Sequence, residues 1–194
     1  MSPTLLVTQP TRARRLFLLL LGIDLIIFLV LFATYIYLRV HAPFWPKAFH
    51  FPSGLMTASM TLFALAASFV MVVALHFHEK QEWILASRMV ALAIACWFTY
   101  GVLAAMEWLR LIIVDHVWLS GNPWGLPQFG QTYFSLTAFQ FVHVFAGTFY
   151  LALVASRIRR HDLAMTAMYV HFTNALWLIL FPALVLSSID LQGL

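Results

Sequence analysis

Five stretches of this chain are each apolar for about twenty residues or more, and no other feature restricts its fold as strongly. A helix needs roughly 20 such residues, at about 1.5 Å each, to cross a ~30 Å hydrocarbon core. The runs extend from about Leu16 to Leu38, Gly54 to Leu75, Ala86 to Val114, Thr132 to Ala155 and Ala164 to Ser187. Lipid offers backbone N–H and C=O groups no partners, so each span must be a helix or a strand of a closed barrel. None of the five alternates as a barrel strand does. The sequence therefore predicts an all-α, polytopic transmembrane bundle of five helices, a single domain over residues 1–194. Composition agrees: 63% of residues are hydrophobic and 9% charged, where a soluble domain carries about a quarter charged.

The connections are short and punctuated. Pro43, Trp45, Pro46 and Pro52 fill the first, and Ser120 to Pro127, rich in Gly, Pro and Trp, reads as a loop. Arg12, Arg14 and Arg15 before an apolar run mimic a signal peptide. That run is too long for one and lacks a small-residue cleavage site, so it reads as a retained helix. Basic residues set the orientation. Arg12, Arg14, Arg15, Lys80, Arg88, Arg157, Arg159 and Arg160 fall on one side, against Arg39, Lys47 and Arg110 on the other. The bias predicts a cytoplasmic N-terminus and a periplasmic C-terminus, with Trp45, Trp83, Trp118 and Trp124 in the interfacial belts. A net charge of +4 confined to helix ends is topology rather than a nucleic-acid surface, so no nucleic-acid partner is expected. The single cysteine, Cys96, excludes an intrachain disulfide framework and reads as a small buried hydrophobe.

Polar groups inside the spans carry the functional question, because charge is costly there. Asp24 lies nine residues beyond Arg15, about 13 Å along the axis, with no basic residue of its own helix nearby. It must be protonated, solvated by trapped water, or bonded to a neighbouring helix; proton delivery and lipid contact are the functional options. Glu107 has Arg110 three residues on, within reach along a face that Tyr100 and Ala104 continue, which reads as a local ion pair near the outer surface. Thr137, Gln140, His143 and Gly147 form one stripe on the fourth helix, and His171, Asn174 and Trp177 one on the fifth, both marking protein-facing sides. His143 and His171 pose the question of haem, but no further pair and no three-histidine copper set accompany them. His76 and His78, beside Glu79, Lys80 and Glu82, read as a solvated loop, and no metal site is expected in the chain.

These motifs resemble subunit III of the haem-copper terminal oxidases, the cytochrome c oxidase subunit III family, in its short five-helix bacterial form. The resemblance runs through essentially the whole chain after residue 15. The first helix, Gly22-Ile-Asp-Leu-Ile-Ile-Phe-Leu-Val-Leu-Phe-Ala-Thr-Tyr35, is similar to the family segment in which an acid precedes a Phe-rich run ending in an aromatic. Glu107-Trp108 matches an acid followed by an aromatic. Tyr133-Phe-Ser-Leu-Thr-Ala-Phe-Gln-Phe-Val-His-Val144 is close to the family's Phe-Tyr-x-Leu-Thr-Gly-x-His-Gly-x-His-Val. Tyr169-Val-His-Phe-Thr-Asn-Ala-Leu-Trp177 is similar to Tyr-Trp-His-Phe-x-Asp-x-x-Trp. Departures mark a divergent paralogue: Gln140 replaces the first histidine, Ala138 and Phe141 the two glycines, and Asn174 the aspartate.

The resemblance implies an accessory subunit with no catalytic centre or cofactor of its own, in a bacterial inner membrane. Its partner would be subunit I, where the haem and copper reside, together with the rest of the oxidase complex. It implies bound phospholipid and support of assembly and proton uptake during oxygen reduction. Asp24, Glu107, His143, His171 and Trp177 become the proton-uptake or lipid-cleft candidates. Arg15, Arg157, Arg159 and Arg160 become contacts for lipid headgroups or the partner. Two other readings stand beside it: an accessory subunit of a nitric oxide reductase or respiratory supercomplex, and a small membrane haem protein using His143 and His171.

Overall fold

A computed structural model describes residues 12–42, 45, 54–121, 127–158 and 163–185. The described residues fold into five helices: α1 (Arg12–His41), α2 (Gly54–Glu79), α3 (Trp83–Ile113), α4 (Pro127–Ser156) and α5 (Leu163–Val185). All five are long and apolar enough to span a membrane. At most ends the helices outrun the apolar runs by a few residues, because helical hydrogen bonding continues into the interfacial region. The largest difference is at α4. It begins at Pro127 inside the expected loop, where a proline costs nothing because the first helical N–H lacks a partner anyway.

A repeat of buried residues spaced alternately three and four apart runs through the bundle. In α2 it is Thr57, Met60, Ala64, Ala67, Met71 and Ala74; in α3 it is Ala86, Val90, Ala93, Trp97, Tyr100, Ala104, Glu107 and Leu111. The α4 series runs from Tyr133 through Gln140, Val144 and Leu151 to Ile158, and the α5 series from Leu163 through Val170 and Trp177 to Leu184. A 3.5-residue period keeps one seam facing its neighbours, as in a left-handed coiled coil. Alanines recur along the α2 and α3 seams, so the two backbones approach closely, which is how helices associate where lipid removes the hydrophobic drive.

The α2–α3 connection fixes these two helices antiparallel. Gln81 adopts φ 62°, and the N–H groups of Gln81 and Glu82 reach the carbonyls of His78 and Phe77 at 3.0 and 2.9 Å. That is a Schellman closure with Gln where glycine is usual. At the same end, His78 Nε2 lies 3.2 Å from the Ile158 carbonyl and Ser87 Oγ donates to the Ala155 carbonyl at 3.2 Å, tying the turn to the end of α4. The α1 helix packs mainly on α4, with a smaller contact to α5. It buries Leu21, Phe28 and Tyr35, one residue per two turns. The Tyr35 hydroxyl donates to the Ala183 carbonyl of α5 at 3.0 Å, and Trp45 packs edge-on against Tyr35 and Phe129. Cys96 is buried, as its sequence context indicates.

Candidate functional site

The α4 stripe expected to face protein does so. Thr137 and Gln140 are buried, and Gly147 lies where α4 meets α3 and α5. A Cβ on Gly147 would stand 2.3 Å from Trp97 Cζ3 and 2.6 Å from Tyr169 Cε1, so only glycine permits this approach. On α5, Asn174 and Trp177 are buried and His171 is half-buried.

Asp24 finds its partner on another helix. His143 Nε2 lies 3.3 Å from Asp24 Oδ2, while His143 Nδ1 lies 2.8 Å from the Phe139 carbonyl one turn earlier. A carbonyl only accepts, so Nδ1 carries a hydrogen. The Nε2–carboxylate contact then needs one proton between the two groups, on the ring or on the acid, and the pair is electrically neutral either way. That neutrality lets an acid sit in lipid without an uncompensated charge. From α5, the Tyr169 hydroxyl donates to the His143 carbonyl at 3.0 Å. His171 does not join them: among the described residues, no three His, Cys, Asp or Glu side chains form a group. Both ring nitrogens of His143 are engaged, so in this arrangement it offers no free nitrogen as an axial ligand beside His171.

Deeper in the bundle, Asn174 joins three helices. Its Oδ1 accepts from Trp97 Nε1 of α3 at 3.0 Å, and its Nδ2 donates to the Ala64 carbonyl and Ser68 Oγ of α2 at 2.6 and 2.8 Å. Gln140 Nε2 donates to the Thr173 carbonyl at 3.0 Å. Trp177 Nε1 donates to Thr61 Oγ1, and Trp108 Nε1 to Thr137 Oγ1, both at 3.0 Å. Each indole N–H thus crosses between helices, satisfying a donor that lipid could not. The sequence flagged Asn174 and Trp177, but it singled out neither Trp97 nor Thr61. Trp97 could have been found, since it lies on the same 3.5-residue seam as Tyr100, Ala104 and Glu107.

The ion pair expected at Glu107 is present, with Arg110 at 3.0 Å, and the carboxylate is buried (3% exposed). Its burial follows from the place of Glu107 on the bundle-facing seam of α3. His116 adopts φ 52°, and Asp115 returns to within 3.5 Å of Arg110, so one guanidinium faces two carboxylates. Gly130 packs against the Trp118 carbonyl of the same return, where a Cβ would come within 2.3 Å.

Arg15 is exposed at the start of α1, and Arg157 is exposed just beyond α4, beside the α2–α3 turn. Arg159 and Arg160 lie outside the described residues, as do Lys47 and Trp124. The histidines at the end of α2 form no metal group: His78 is committed to the Ile158 carbonyl and packs edge-on against Trp83. Between α3 and α4 lie two apolar recesses, of about 430 and 510 Å³, one bordered by Phe141 and the other by Trp108. The two rings pack together at 5.8 Å and separate them. No protein-family model matches the chain, and no curated protein matches it in sequence.

Proposed function

We propose that this chain is a non-catalytic accessory subunit of a respiratory haem-copper terminal oxidase, of the subunit III type, in a bacterial inner membrane. The observation that carries the proposal is the Asp24–His143 pair. The acid of the first helix and the histidine of the fourth, both at positions that bear the resemblance, are joined across α1 and α4 at 3.3 Å. Such a pair is a proton-holding site at the rim of the bundle, placed to support proton uptake or lipid retention by a larger partner. The exposed basic residues at the start of α1, the α2–α3 turn and the end of α4 favour a cytoplasmic N-terminus and contact with anionic headgroups at that side.

Solubilising native membranes in mild detergent and identifying what co-purifies tests the assignment. A haem-copper subunit I is the expected companion, and its consistent absence defeats the proposal. In the assembled enzyme, Asp24→Asn is expected to shorten turnover lifetime or slow proton uptake; unchanged values remove Asp24 from that role.

A second reading, an accessory subunit of a nitric oxide reductase or a respiratory supercomplex, draws on two specific departures. Gln140 and Asn174 stand where the family has titratable groups, and both amides are committed to backbone carbonyls. An ionised aspartate at position 174 could not donate to the Ala64 carbonyl. The identity of the co-purifying subunit separates the two readings.

A further inference from the structure

The 3.5-residue seam of α3 carries Glu107 to the wall of a small cavity of about 20 Å³. Its other polar walls are Thr57 from α2, Tyr100 from α3, and Tyr133 and Thr137 from α4. Each of these five side chains is at most 9% exposed. One layer deeper, Gln140 Oε1 is buried with no hydrogen-bond partner among the described residues, and its amide lies beside the Tyr100 hydroxyl. Polar surface is thus concentrated around a void in the most apolar environment a protein meets.

We propose that this cavity is a binding site for one water molecule, held by the Glu107 carboxylate and the hydroxyls around it. The volume exceeds the roughly 10–15 Å³ that a single water requires, and five residues with polar side chains line it. An apolar cavity stays dry, but this one is not apolar. A metal cation fits less well. Arg110 stands 3.0 Å from Glu107, so a second positive charge would meet repulsion with only one carboxylate on the cavity wall. The water gives a carboxylate that burial would otherwise strip of solvent part of its hydration back. This assignment does not depend on the oxidase reading.

The test is a structure of the full chain, in lipidic cubic phase or a lipid nanodisc, at a resolution that reveals ordered solvent. It is determined once in sodium chloride and once in N-methylglucamine chloride. One solvent peak within hydrogen-bond distance of Glu107 in both salts is the expected result. An empty cavity overturns the proposal, as does a peak or a melting-temperature shift that requires sodium. Ala104→Leu, which fills the cavity from its apolar wall, is expected to abolish the peak; a peak that survives contradicts the volume argument. If that variant does not fold, Glu107→Gln keeps both shape and polarity and is expected to retain the peak, and its loss there overturns the proposal.

Discussion

The core formed by α2, α3, α4 and α5 and the α1 helix solve the same problem, association within lipid, by different means. Half of the most apolar window of α5 is buried inside the bundle, against 11% for α1. The core helices meet through alanines and one glycine, then lock together with indole and amide hydrogen bonds that cross at several levels. The α1 helix meets its neighbours through large side chains once every two turns, and two polar contacts supplement them: Asp24 with His143 of α4, and Tyr35 with the Ala183 carbonyl of α5. Close approach excludes alternatives by shape, whereas a sparse seam depends on a few directional contacts. The first should tolerate substitution poorly, and the second should lose little and lose it locally.

Gly147→Ala probes the contrast hardest. Its Cβ meets two rigid rings at 2.3 and 2.6 Å, and overpacking of this kind costs about 1–3 kcal/mol, more than the helix-propensity gain returns. Reversible denaturation in detergent should place it at the upper end of that range; a neutral result would show that α4 can slide and that the core is not shape-locked. Asn174→Leu comes next. It leaves the Trp97 N–H and the Ala64 carbonyl without their partner, and an unsatisfied buried polar group costs about 1–3 kcal/mol. Asn174→Asp should recover part of this, because the indole donor is still met while an acid offers at most one O–H in place of the two amide N–H donations to Ala64 and Ser68. Equal losses for Leu and Asp would show that the indole bond contributes nothing. Asp24→Asn should cost least, about 0.6 kcal/mol, the average for interhelical polar contacts measured in membranes. Its effect should be confined to α1, read as faster proteolysis or hydrogen exchange in that helix alone. A loss as large as that of Gly147→Ala erases the distinction between the two regions.

Hydropathy alone located the five helices, because span length is a property of each segment by itself. The protein-facing stripe of α4 was legible for the same reason: Thr137, Gln140, His143 and Gly147 share a face whatever surrounds them. What Asp24 needed was also legible, a partner on another helix. That the partner is His143 was not, since it depends on α1 docking against α4, more than a hundred residues away in sequence. The Glu107–Arg110 pair followed from spacing and the burial of Glu107 from its place on the α3 seam, but the second carboxylate at Arg110 comes from the return of Asp115 through the His116 turn, which no periodicity encodes. Asn174 stood out in the sequence as a member of the fifth-helix stripe and as a departure from the pattern it resembles. Its part in joining three helices needed the positions of Ala64, Ser68 and Trp97 together.

The reach of the Asp24–His143 contact along the chain has a consequence during synthesis. The acid is translated 143 − 24 = 119 residues before its imidazole, which at about 5–20 residues per second is a gap of roughly 6–24 s. Throughout that interval the first helix stands in or beside the translocon with no α4 to meet it. Until then Asp24 has no neighbouring helix to offer it a partner, and an acid without one is costly in hydrocarbon. When α4 arrives, His143 supplies the contact that the first helix has lacked, so the docking of α1 is completed late in synthesis.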